Sequence, residues 1–227
     1  MKKTTILLSL IFLLFNAYSQ TDSTKKVKEN TKFVFTFEPT YLSLNAFRIN
    51  QELHILKSGS VVFSEELYAK EGGGGTSDFF PFFLNPFMDD NSYDKVYGFG
   101  LEVSIKKYLF NSDKIKGFYS GFGVKYDHIT LEDQMSIWTT DDIGNEFEES
   151  TKDKNIIDKF GLDFRLGYVV SIKDKVFFDF YTGVGLRYSN IQGTKNGRYI
   201  ESGNGISNYG YTGVLPVLGV RLGVGLF

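Results

Sequence analysis

The sequence predicts an all-β chain: a single antiparallel transmembrane β-barrel of eight strands behind a cleaved signal peptide. Three observations carry that expectation. From Phe160 to Asn190 apolar and polar residues alternate without a break on both sides of a three-residue turn, the period-two pattern of a β-hairpin. The polar face of that hairpin mixes glycines with charges of both signs, which suits an enclosed interior better than a solvated surface filled with Lys, Glu, Thr and Ser. The chain begins with a secretory signal, and no later segment approaches the ~20 apolar residues of a membrane helix, so any span has to be β.

In the hairpin, Phe160, Leu162, Phe164, Leu166, Tyr168, Val170 and Ile172 share one face, and Val176, Phe178, Phe180, Val184, Leu186 and Tyr188 share the same face of the second strand. A turn of Lys173, Asp174 and Lys175 sets Ile172 opposite Val176. Asp163 then faces Gly185, Arg165 faces Gly183 and Gly167 faces Tyr181, so bulk on the polar face meets glycine. That is the packing of a confined space.

Residues 1–19 form the signal peptide: basic Lys2 and Lys3, an apolar core from Ile6 to Phe15, and cleavage after Ser19 in Ala17-Tyr18-Ser19. Losing two lysines moves the formal charge from -2 to -4, which implies no nucleic-acid partner. There is no cysteine, which excludes disulfides, thiolate metal sites, a cysteine nucleophile and a lipid-anchored cysteine. With 23 Phe and 14 Tyr the chain can furnish aromatic girdles at two membrane interfaces.

Residues 20–32 are polar and aperiodic and are expected to be a flexible periplasmic lead-in, followed by the barrel over residues 33–227. Strand one sends Phe33, Phe35 and Phe37 outward and Val34, Thr36 and Glu38 inward, before Pro39 weakens the ladder. A tight connection near Leu44 to Ala46 leads to strand two, with Phe47, Ile49, Leu53 and Ile55 outside and Arg48, Asn50, Glu52 and His54 inside. After the turn Lys57-Ser58-Gly59, strand three runs from Ser60 to about Lys70, with Glu65 in its outward set. A long loop to about Lys95 holds FFPFFLNPF, Phe79 to Phe87. Strand four covers Val96 to Phe110 and strand five Gly117 to about Leu131. Pairing Phe110 with Gly117 sets Glu102 opposite Lys125, Ser104 opposite Gly123 and Lys106 opposite Gly121, predicting a Glu102 and Lys125 cross-strand pair. An acidic loop spans Glu132 to Asn155 and a Gly- and Asn-rich loop Ile191 to Thr212. The last strand, Gly213 to Phe227, sends Leu218, Val220, Leu222, Val224 and Leu226 outward and leaves Phe227 in phase with the inner set.

Short turns follow strands two, four and six, and long loops follow three, five and seven, so the long loops share one side and both termini the other. With its signal peptide, even strand count, loop asymmetry and terminal GVRLGVGLF, the mature chain resembles the eight-stranded outer-membrane barrels of Gram-negative bacteria, the OmpA/OmpX kind. The resemblance implies outer-membrane localisation, lipid contact, and recognition of the closing strand by the barrel-insertion machinery.

The inward charges Glu38, Arg48, Glu52, Glu102, Lys106, Lys125, Asp163, Arg165, Asp179, Arg187 and Arg221 are expected to neutralise one another as a plug, because an eight-strand interior is only wide enough for side chains. Phe79, Phe80, Phe82, Phe83 and Phe87 would make a large apolar patch if bare, so they are expected to meet the rim, lipid or a protein partner. His54 and His128 suggest no catalytic set, since nothing places a serine within reach, and the acidic loop matches no EF-hand spacing. No catalytic residue, metal or cofactor is expected. The functional expectation is a non-enzymatic outer-membrane barrel with a filled interior and a structural or surface-interaction role through its long loops. The alternatives are an accessory subunit of a secretion or assembly machine and a lipid A-modifying barrel enzyme. This topology places Phe83, Glu146 and Gly203 outside and Gly59, Asp113, Asp174 and both termini in the periplasm. Protease added to intact cells should cut only the long loops, and cleavage near Asp174 without lysis would refute it.

Overall fold

The computed structural model describes residues 33–56, 58–71, 94–109, 115–140, 143–144, 146–193 and 209–226. The expected signal peptide and lead-in, the Phe-rich stretch Phe79 to Phe87 and Phe227 lie outside them. Among the described residues eight strands follow one another around a closed antiparallel barrel: β1 (Phe33–Phe37), β2 (Ala46–Leu56), β3 (Gly59–Glu71), β4 (Lys95–Tyr108), β5 (Gly117–Thr140), β6 (Glu146–Ile172), β7 (Val176–Gly193) and β8 (Gly213–Leu226).

Closure fixes the width. Starting at Phe33 and stepping across the register leads through Leu53, Val61, Ile105, Phe122, Phe164 and Val184 to Pro216. Pro216 lies ten residues from Leu226, with which Phe33 pairs. A ten-residue stagger over eight strands, at ~3.3 Å per residue and ~4.8 Å between strands, tilts the strands by about 40°. Alternation then sorts the wall: Phe47, Phe63, Leu67, Leu101, Val103, Ile105, Phe122, Phe164, Val184, Leu218 and Val224 are exposed outside, while Glu38, Arg48, Glu66, Glu102 and Arg221 are fully buried inside.

The expected registers are present. Ile172 pairs with Val176, Asp163 with Gly185, Arg165 with Gly183 and Gly167 with Tyr181, and Glu102 pairs with Lys125 and Lys106 with Gly121. Lys173 and Asp174 turn the chain with φ of 53° and 54°.

Three expectations need correction. β1 ends at Phe37 and is followed by a 3-10 helix, Pro39–Leu44, with Asn45 left-handed at its end; the connection is therefore longer than the tight turn expected near Leu44. The acidic loop is mostly strand: β5 runs to Thr140 and β6 starts at Glu146, paired from Asp133↔Asp153 to Thr140↔Glu146. Its charges obscured an alternation in which Met135, Ile137 and Phe147 share one phase. β4 ends at Tyr108 rather than Phe110.

Close approach explains two glycines. A Cβ on Gly219 would lie 2.3 Å from the Tyr181 ring, and one on Gly167 would lie 2.4 Å from the Tyr119 ring. Gly167→Ala and Gly219→Ala should each cost about 1–3 kcal/mol, read as lower urea midpoints of the refolded barrel. Unchanged midpoints in both would show that the rings move aside freely.

Candidate functional site

The interior is layered. At the short-turn end Val34, Tyr108, Ile115, Tyr119, Val169 and Phe177 pack in one apolar cluster that also takes in Tyr181 and Val217. Toward the long-connection end Ala46, Tyr68, Val96, Ile129, Leu131 and Ile157 form another, with Tyr41, Ile191 and Tyr209 against it. Burial raises the phenol pKa of Tyr209, outside the strands, against the lowering effect of its hydrogen bond with Asn45.

Between these layers lies one continuous network of charges. Arg48 is its branch point, with Nε 3.1 Å from Glu38, Nη1 2.7 Å from Glu66 and Nη2 2.9 Å from Glu102. Glu102 also takes Arg165 at 2.5 Å, Arg165 reaches Asp163 at 2.5 Å, and Asp163 takes Arg187 at 2.5 Å. From Glu66 the chain continues to Lys125 at 2.7 Å, then to Asp127 at 3.4 Å and Lys159 at 3.6 Å. From Glu38 it continues to Arg221 at 3.1 Å, to Asp179 at 3.4 Å, and through Lys106 to Glu52, each step 2.7 Å.

Among the described residues that network holds seven carboxylates and seven cations, which balance formally. All eleven charges expected inside belong to it. Glu66, Asp127 and Lys159 complete the balance; alternation along strand five already turns Asp127 inward, and the same alternation would have found Glu66 and Lys159. Glu102 and Lys125 are register partners on the inner face, but Glu102 pairs with Arg48 and Arg165, and Lys125 with Glu66 and Asp127. Arginine and lysine are long enough to reach two strands away, which nearest-neighbour register cannot anticipate.

Sequence reasoning set Tyr181 on the inner face opposite Gly167 but missed Tyr68, Tyr108 and Tyr119 and the hydrogen bonds that all four make. Tyr108 donates to Glu52 at 2.5 Å, Tyr119 to Asp179 at 2.8 Å, Tyr68 to Glu66 at 2.9 Å, and Tyr181 to Glu38. Arg48 lies 4.6 Å above the Tyr41 ring and Arg221 4.6 Å above Tyr181. Each phenol adds a donor to a carboxylate while its ring fills space and faces a cation. Among the described residues, Ser104 Oγ, Arg165 Nε and Arg221 Nη2 are buried without a hydrogen bond, and Asp127 Oδ2 has only the longer ion pair with Lys159.

The histidines lie apart from this network. His54 Nδ1 is 3.2 Å from Ser60 Oγ, while His128 on the outer face is 2.8 Å from Asp158, which also accepts from Tyr126 at 2.7 Å. Among the described residues no group of three or more His, Asp or Glu is placed to hold a metal ion.

Fold and interior together define a closed eight-stranded antiparallel β-barrel, apolar outside and charged within. No protein-family model matches the chain, and neither does any curated protein or solved structure. Removing the branch point tests the network. Arg48→Ala leaves Glu38, Glu66 and Glu102 short of a cation, a loss expected to cost about 3–5 kcal/mol, read as a lower urea midpoint than that of Arg187→Ala, which leaves Asp163 its Arg165 bond.

Proposed function

We propose that the chain is an integral outer-membrane barrel, delivered by its signal peptide, non-enzymatic and closed to solutes, that presents a protruding β-ribbon to extended segments of other proteins. The observation that carries the membrane reading is the inverted distribution of polarity: apolar side chains exposed around the wall and fourteen mutually neutralising charges inside it. A water-soluble barrel would have the reverse. Bilayer hydrocarbon is the medium in which that exterior is stable and in which a closed sheet leaves no backbone group unpaired.

The ribbon supports the surface role. β4 reaches only to Lys95 opposite Glu132, and β7 ends at Gly193 opposite Asn155, while β5 and β6 continue to pair with each other. Eight further pairs extend the hairpin by about 26 Å at ~3.3 Å per residue. Among the described residues no strand joins either edge, and an open edge is a template for strand addition. Between Glu132 and Asn155 the sequence carries eight acidic residues and two lysines, so the ribbon repels its own kind and favours basic segments.

Expressed with its signal peptide, the protein should stay in outer membranes through urea washing, shift its electrophoretic mobility on heating, and give no steady conductance in a planar bilayer. Release by urea would overturn the membrane reading, and steady conductance the closed interior.

A further inference from the structure

The two ends of the barrel carry opposite charge. Past the last pairs of β4 and β7 the ribbon is acidic, with eight acidic residues against two lysines between Glu132 and Asn155. At the short-turn rim the described surface charges are the exposed Lys107, Lys116, Lys173 and Lys175 against a half-buried Asp174. Asp174 accepts a hydrogen bond from Ser171 Oγ at 3.2 Å. Among the described residues no carboxylate lies within ion-pair distance of the four lysines.

Beside Lys116 the wall is notched. β5 begins at Gly117, where φ is 92° and no atom lies within 4 Å of where a Cβ would stand. A cleft of about 360 Å³ opens there, lined by Leu109, Lys116, Tyr168, Val170 and Ser171. Gly117 pairs with Val169 and Phe118 with Tyr168, so Val170 stands beside Lys116 one strand over. With strands tilted by about 40°, each step from β5 to β6 along the register rises ~3 Å toward the long-connection end, and two residues along a strand add ~5 Å. Val170 is then about 3 Å and Tyr168 about 8 Å deeper in the wall than Lys116, while Ser171 is level with it. The deep end is apolar, with the Phe118 and Tyr168 rings 4.5 Å apart.

The shallow end has a second donor. Gly225 donates its N–H to Lys175, and Lys175 donates to Ile172, which turns the even-numbered backbone groups of β6 toward β7 and the odd-numbered ones toward β5. The β5–β6 ladder stops at Gly117↔Val169. Ser171, the next odd residue, therefore has no strand beside it, and its N–H is left to the cleft.

Resting on the membrane reading above, we propose that this cleft binds an anionic phospholipid of the periplasmic leaflet. The phosphate sits between the Lys116 ammonium and the Ser171 N–H, and an acyl chain rises past Leu109 and Val170 to Tyr168. Charge at the rim and apolar surface above it follow the order of headgroup and chain in that leaflet. By alternation Lys116 shares the outward phase of Phe118 and Ser120, so it faces the bilayer and not the periplasm along the barrel axis, which favours a lipid over a cell-wall anion. Lys107, paired with Gly59 beside the same rim, snorkels toward the same headgroup layer. Four lysines against one aspartate select a headgroup with net negative charge, phosphatidylglycerol, over zwitterionic phosphatidylethanolamine.

Native mass spectrometry of the protein purified from membranes in a nonionic detergent, with equimolar phosphatidylglycerol and phosphatidylethanolamine added, tests the site. One phosphatidylglycerol per barrel should be retained in preference to phosphatidylethanolamine. Lys116→Gln should lower its retention about fivefold, the worth of one lysine at an anionic surface. Val170→Trp, which fills the cleft without changing charge, should abolish retention, and Lys70→Gln at the other end should leave it unchanged. Each variant is compared only as the heat-modifiable, folded barrel. Equal retention of the two lipids, undiminished retention in Lys116→Gln or Val170→Trp, or displacement of the lipid by inorganic phosphate would overturn the site alone. So would binding to purified peptidoglycan that Lys116→Gln abolishes while no lipid is retained, which would assign the rim to the cell wall. A protein washed out of the membrane by urea would overturn the membrane reading and the site with it.

Discussion

Arg48 and the three carboxylates around it express the constraint on which the rest of the barrel depends. Eight strands staggered by ten residues enclose a space that only side chains can fill, and period-two alternation sends every second residue into it. Once the outer set is apolar, polar residues have to go inside, where an isolated charge is costly. Equal numbers of acids and bases, linked so that almost every carboxylate meets more than one cation, resolve the conflict. Neutral networks of this kind need not outdo an apolar core in stability. They do fix register, since a one-residue slip of a strand would carry its buried charges to the apolar exterior and its apolar set into the charged interior.

The same argument explains the interior's odd composition. Large groups, arginine and tyrosine, alternate around the circumference with glycine, and the rings of Tyr119 and Tyr181 occupy the space over Gly167 and Gly219. Tyrosine suits this place because its ring fills volume and faces a cation while its hydroxyl reaches a carboxylate. Phenylalanine would fill the same volume and leave the carboxylates of Glu38, Glu52, Glu66 and Asp179 each one donor short.

Strand phase and pairing were legible in the sequence because both follow from alternation and turn length. The Phe160–Asn190 hairpin and the β4–β5 register could be written down residue by residue. What alternation does not encode is reach. Register places Glu102 beside Lys125, yet long side chains crossing a narrow interior give Glu102 its partners on β2 and β6 and Lys125 its partners on β3 and β5. Nor does hydropathy mark where a strand leaves the wall: Asp133, Glu148 and Asp153 look like loop residues because they are charged, although β5 and β6 carry them as register-paired strand residues beyond the last pairs of β4 and β7. The β1–β2 connection failed for a third reason, since Pro39 signals only that the ladder weakens, while the helical turn that follows depends on tertiary contacts. Tyr41 of that turn sits over Arg48 and Lys125, which no local pattern announces.

That turn also accounts for how the wall closes beside a strand that stops early. Gly225 donates its N–H to Lys175 on the β7 side, so odd-numbered residues of β8 face β7, and even-numbered ones turn their backbone groups toward β1. β1 supplies partners only as far as Phe37 opposite Leu222. Continuing that register would set Pro39 opposite Val220, and Pro39 has no N–H to give. Further along the same edge comes Pro216, an even-numbered residue, so its missing N–H falls on the side where β1 has already ended. Two prolines thus remove donors from the one seam of the barrel that would otherwise leave them unpaired. The 3-10 helix from Pro39 to Leu44 occupies the space above β1, with Tyr41 against the charge network and Leu42 and Leu44 exposed outward. The wall remains apolar outside across the gap, and Tyr41 fills its inner side, with prolines and a helical turn in place of the missing half-strand.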